Sequence, residues 1–132
     1  MAQKLGSNSS KGGRLTATGS TDLVAGQVSL GAGWGGAPDL AITAGSNDQA
    51  GRLTITAAVT TPAEATATVA LTYTDLAYPA APVTLTNVYS DSAITDTGHI
   101  KSTSTTTVLT IKFDVLPVAT KIYVIDYVVI AI

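Results

Sequence analysis

A strict two-residue alternation runs from Ala65 to Thr74. Ala65, Ala67, Val69, Leu71 and Tyr73 alternate with Thr66, Thr68, Ala70, Thr72 and Thr74. Successive side chains of a β-strand point to opposite faces, so this pattern sets an apolar face against a mostly threonine face. β-Branched threonine suits an exposed position on a pleated strand. The segment reads as a half-buried strand.

The pattern recurs along the chain. Val83 and Leu85 share one face of a segment ending near Tyr89, with Thr84 and Thr86 on the other. The phase shifts near Asn87, which marks a bulge or the strand end. In 107–113, Leu109, Ile111 and Phe113 share one face, and Val108, Thr110 and Lys112 the other. Shorter strand-like pieces cover 22–30 and 39–43. Pro79, Pro82, Pro117 and Asp96-Thr97-Gly98 supply the turns between strands. The expected fold is all-β, an antiparallel β-sandwich of about eight strands.

The last strand is different. Tyr123, Ile125, Tyr127 and Val129 form one face, and Ile122, Val124, Val128 and Ile130 form the other, with Asp126 among them. A strand apolar on both faces is buried on both. A small sandwich covers only one, so the other meets a loop, an N-terminal arm or a second subunit. The subunit interface is accordingly placed at Tyr123, Ile125, Asp126, Tyr127 and Val129. Asp126 needs an ionic partner or water at such a position. Lys101, Lys112 and Lys121, of the same or a neighbouring subunit, are the candidates. The stretch from Ile122 to Ile132 is about half the length that spans a bilayer, which argues against a membrane segment.

Residues 1–45 read as an extended N-terminal arm with short strands, and residues 46–132 as the sandwich domain. Lys4, Lys11 and Arg14 precede the first acid, Asp22, whereas the remainder sets four basic residues against all nine acids. A basic arm on an acidic body is a docking device. Three positive charges are too few for nucleic acid. Within the arm, the glycine-rich loop Gly31–Gly36 surrounds the single tryptophan, Trp34. That side chain either anchors the arm to a partner or folds back onto the body. Lys4, Lys11, Arg14 and Trp34 are the candidate docking residues. Gly13–Thr18 (GRLTAT) echoes Gly51–Thr56 (GRLTIT).

Charged residues make up 12% of the chain, about half the usual share, so little keeps its surface apart from other surfaces. Catalytic patterns are missing. The single histidine, His99, has no His/Cys cluster at ligand spacing, and there is no cysteine. No G-x-S-x-G elbow and no phosphate-binding loop with a following helix is present. Asp48, Asp91 and Asp96 sit in turn contexts, where aspartate bonds nearby backbone. No catalytic residue, metal or cofactor is therefore assigned, and the chain reads as non-enzymatic.

Taken in order, the segments Ala50–Ala57, Ala67–Tyr73, Tyr78–Thr86, Ser104–Phe113 and Tyr123–Ile130 resemble small β-sandwich modules of tailed-bacteriophage virions. Head decoration proteins, head fibres and tail-fibre tips belong to this group. The resemblance covers roughly residues 44–132 and is compositional. It implies a jelly-roll-like sandwich, a homotrimer, and a place on the capsid exterior after synthesis in the host cytoplasm. A short chain starting at Met with an arm and no fibrous shaft is expected to be a capsid decoration or cement protein bound to the major capsid protein lattice. The rival expectation is a receptor-binding knob that recognises host-surface glycan or protein.

Overall fold

The computed structural model of the protein describes residues 10–11, 14–15, 21–60, 66–75, 78–90 and 98–132. A short pair, β1 (Ser10–Lys11) and β2 (Arg14–Leu15), runs antiparallel. Arg14 and Leu15 of the first GRLT copy are thus extended like their counterparts Arg52 and Leu53 in the second. Eight further strands follow: β3 (Val28–Leu30), β4 (Asp39–Ile42), β5 (Ala50–Thr56), β6 (Thr68–Thr72), β7 (Val83–Ser90), β8 (Ile100–Ser104), β9 (Val108–Phe113) and β10 (Ile122–Ile130).

They form two four-stranded antiparallel sheets, ordered β4-β5-β10-β7 and β3-β6-β9-β8. The fold is an all-β sandwich. Only the β4–β5 and β8–β9 connections are hairpins within one sheet; the others cross between the sheets, in jelly-roll-like fashion.

The alternation in the sequence becomes the core. Ala67, Val69, Leu71 and Tyr73 are buried from the β6 segment, and Leu109, Ile111 and Phe113 from β9. They meet Leu53 and Ile55 of β5 and Tyr123, Ile125, Tyr127 and Val129 of β10. β10 is central in its sheet because it carries the largest inward face, and neighbours on both sides cover its backbone.

Tyr127 is directly opposite Gly51. A Cβ at Gly51 would lie 2.6 Å from the Tyr127 hydroxyl. Glycine therefore leaves room for the ring, whose hydroxyl donates to the Asn47 carbonyl at 2.6 Å. Burial raises the pKa of that hydroxyl above its ordinary value of 10.0.

The sandwich begins well before residue 46. β3 pairs with β6 and β4 with β5, so residues 21–45 are part of the sheets and not of an arm. The physical reason is Trp34. Its side chain is fully buried, lying edge-on to Phe113 at 5.2 Å and to Tyr123 at 5.3 Å. One ring comes from each sheet. The indole N–H donates to the Thr68 carbonyl at 3.0 Å, and the Trp34 carbonyl accepts from Ala58 N–H at 2.9 Å. Gly33 lies so close to the Ala67 backbone that any Cβ there would overlap it. The glycine-rich loop is thus a close-packed seat for the tryptophan.

A second correction concerns β7. It pairs with β10 in unbroken register from Val83 to Ile130 through Ser90 to Tyr123, with no bulge at Asn87. Directly paired residues share a face. Thr84, Thr86 and Val88 pair with Val129, Tyr127 and Ile125, so they point inward, and Val83 and Leu85 point outward. The β10 side chains bury far more apolar area than those of β7 and fix its phase. On that side of the sandwich the core ends in hydroxyls. Thr84 Oγ1 donates to Ser102 Oγ of β8 at 3.3 Å, and Tyr73 and Ser104 share a hydrogen bond of 2.8 Å.

Two substitutions test this packing. Trp34→Ala should cost about 3–5 kcal/mol of unfolding free energy, the usual range for emptying a buried large aromatic site. Gly33→Ala should destabilise although alanine is a small residue. Urea denaturation of the full chain measures both. Wild-type stability in either variant would contradict the seat described for Trp34.

Candidate docking face

The outward face of the β4-β5-β10-β7 sheet combines three strands. β10 contributes Ile122, Val124, Asp126, Val128 and Ile130. β7 contributes Val83, Leu85, Asn87 and Tyr89. β5 contributes Arg52, Thr54 and Thr56. The cross-strand rows follow from the register: Ile130 beside Val83, Val128 beside Leu85, and Val124 between Thr54 and Tyr89. Leu85 is 61% exposed, Val83 48% and Tyr89 42%. With Ile122 also exposed and Val124, Val128 and Ile130 half-buried, these residues form a partly solvent-open apolar stripe. Large apolar side chains gathered in one exposed stripe mark an interaction surface more often than scattered ones do.

One ion pair crosses the middle of this stripe. Arg52 Nε and Asp126 Oδ1 are 2.6 Å apart, and Arg52 Nη2 and Asp126 Oδ2 are 2.9 Å apart. The guanidinium fork matches the carboxylate at two points. Arg52 also lies 5.8 Å from the centre of the Tyr89 ring. The Arg52 hydrogen bond holds the Asp126 pKa below its ordinary value of 3.8, with burial acting against it. Asp126 in turn raises Arg52. Two shallow hollows flank the pair. One of about 190 Å³ is lined by Leu85, Thr86, Asn87, Asp126, Tyr127 and Val128. The other, about 350 Å³, lies among Thr43, Ser46, Gly51, Arg52 and Asp126. Both open broadly to solvent. They are places where a partner side chain can seat.

The candidate residues fall in different places. Tyr123, Ile125, Tyr127 and Val129 lie on the inner face of β10 and are buried in the core. They cannot contact another subunit. Their partners are the rings and aliphatic chains of the opposite sheet, which outcompete any external surface. Asp126 is on the outer face as an interface residue would be, but its partner is Arg52 and not a lysine. Trp34 is a core residue and not a docking anchor. Lys4 lies outside the described residues; Lys11 and Arg14 fall on β1 and β2, where only the backbone is described.

The polar groups elsewhere have structural tasks. His99 is fully exposed, and its Nδ1 lies 3.0 Å from Asp114 Oδ2. Its backbone N–H donates to Asp114 Oδ1 at 2.6 Å, closing the turn that enters β8. Asp48 is buried and accepts the N–H groups of Thr74 and Asp75 and the amide of Gln27. It caps a turn, but one 26 residues away, and so ties the β5 side of the sandwich to the end of β6. Asp91, Asp96 and Glu64 lie outside the described residues. Among the described residues no three His, Cys, Asp or Glu side chains are grouped to hold a metal ion.

The outward residues Val83, Leu85 and Tyr89 were missed as surface residues because Val88 disturbs the alternation. The signal was present nonetheless. In one unshifted frame β7 reads Val-Leu-Asn-Tyr on one face and Thr-Thr-Val-Ser on the other. The chain matches no protein-family model, and no curated protein and no solved structure matches it.

The sign of the Asp126 shift sets a pH dependence. A carboxylate whose folded pKa is depressed adds stability in full above its ordinary value and loses it as pH falls through the folded value. Asp126→Asn should therefore be less stable than wild type at neutral pH. The difference should vanish in strong acid, where wild-type Asp126 is protonated too. Thermal melts of both proteins across this range measure it, and a constant difference would contradict the pairing.

Proposed function

We propose that the protein is a structural component of a tailed-bacteriophage virion, a capsid decoration protein that binds the assembled head through the outer face of β10 and β7. The observation that carries this reading is the outward apolar stripe in which Val83, Leu85, Tyr89 and Ile122 are exposed and Val124, Val128 and Ile130 half-buried. A contiguous apolar face of this kind marks an interaction surface. Low overall charge supports the same reading, since weak repulsion permits dense packing on a lattice. The basic residues Lys4, Lys11 and Arg14 would add attraction toward an acidic lattice.

The mechanism is mass action. A protein that binds one state of an assembly and not another shifts the balance toward the bound state. Decoration of the expanded head adds contact area between neighbouring capsomers and resists outward pressure from packaged DNA. The Arg52–Asp126 pair makes the contact directional. A partner that seats on the stripe must meet the pair with matched polar groups or leave it in water.

Sedimentation of the full chain with expanded and unexpanded head shells of the phage that encodes it tests the proposal. The expected outcome is binding to expanded shells, a higher temperature of shell disruption, and at least tenfold weaker binding for Val128→Lys. Binding to intact host cells with no binding to shells would overturn it in favour of a receptor-binding knob.

A further inference from the structure

The sandwich has four outer strand edges, and they are not alike. β3 is three residues long. β4 is four residues long and opens with Asp39 directly after Pro38. β8 carries Lys101 as its second residue. Short length, proline and charge are the devices that stop a sheet edge from recruiting another strand. β7 has neither short length nor charge, and the proline nearest it, Pro82, lies directly before it as Pro38 lies before β4. Its eight residues, VTLTNVYS, contain no charge and no proline. Among the described residues no strand pairs with the edge of β7 that faces away from β10.

We infer that this edge is a homotypic interface: β7 pairs antiparallel with β7 of a second copy, about a two-fold axis through Asn87. In that register Asn87 opposes Asn87, and Leu85 opposes Tyr89 of the second copy. Aromatic–aliphatic cross-strand pairs of this type stabilise antiparallel sheets. No like charges oppose one another, because the strand has none. The hollow of about 190 Å³ beside Leu85 and Val128 lies where Tyr89 of the second copy would lean. Residues paired across an antiparallel ladder share a face, so both apolar stripes come to lie on one side of an eight-stranded sheet. The contact is isologous and uses each β7 once, so it closes at two copies. The inference does not depend on docking to a capsid.

Light scattering after size exclusion on the full chain tests it with three variants. Wild type should have twice the 13.3 kDa chain mass. Leu85→Lys should have the single-chain mass with an unchanged circular-dichroism spectrum, because Leu85 is largely exposed. The protein has no cysteine, so an Asn87→Cys variant can link only to a second copy of itself. It should form a disulfide dimer on mild oxidation, whereas Lys101→Cys on the β8 edge should not. A single-chain mass for wild type, a trimeric mass, a dimer untouched by Leu85→Lys, or an Asn87→Cys variant that does not link would each overturn the two-fold pairing. A dimer that fails to bind head shells would leave the pairing standing and remove the capsid reading.

Discussion

Trp34 is the contact on which the two sheets converge. Its ring meets Phe113 from one sheet and Tyr123 from the other, both edge-on, and its one polar atom is satisfied by the Thr68 carbonyl. Edge-to-face aromatic packing adds to the burial of area and also fixes orientation. The glycine-rich loop makes this possible because Gly33 can lie directly on the backbone of Ala67. With the tryptophan inside, residues 21–45 are drawn into the sandwich as β3 and β4. A segment that composition would assign to an arm becomes two of the four outer edges.

The same packing decides which surface remains for other molecules. β10 is apolar on both sides, and the inward side is taken up by the core formed around Trp34. Its outward side shares rows with β7, whose phase is dictated by the β10 register and not by its own alternation. The consequence is a partly exposed stripe of aliphatic residues, crossed by an Arg52–Asp126 pair that is itself half exposed. Exposed ion pairs contribute little to stability. Here the pair matters for what it does to the surface: it prevents the stripe from being uniformly sticky and gives a partner a fixed point to match.

Much of the fold was legible in the alternation of residues. Ala67–Tyr73 and Leu109–Phe113 are core-facing strands as their pattern requires, and β10 carries apolar residues on both faces. What was not legible depended on distance in space. Nothing near Trp34 in the chain states that Phe113 and Tyr123 will close around it. Asp126 finds Arg52, 74 residues earlier, because β5 is its neighbour in the sheet, and strand order is not written in any local pattern. β7 was misread for a related reason. Its threonines face inward because the β8 hydroxyls await them there, which reverses the usual sense of an apolar–threonine alternation. The apolar outer face was therefore foreseen on β10 and missed on β7.

Trp34 is interior, and we infer that two copies assemble through the β7 edge, with Leu85 of one copy against Tyr89 of the other. Hydroxyl-radical footprinting reads both in one experiment, because Tyr89 is the one tyrosine of the five that is exposed. Trp34 should be protected in wild type and in Leu85→Lys alike. Tyr89 should be modified rapidly in Leu85→Lys and slowly in wild type, where Leu85 of the second copy lies against it. Rapid modification of Trp34, or equal modification of Tyr89 in the two proteins, would contradict this arrangement.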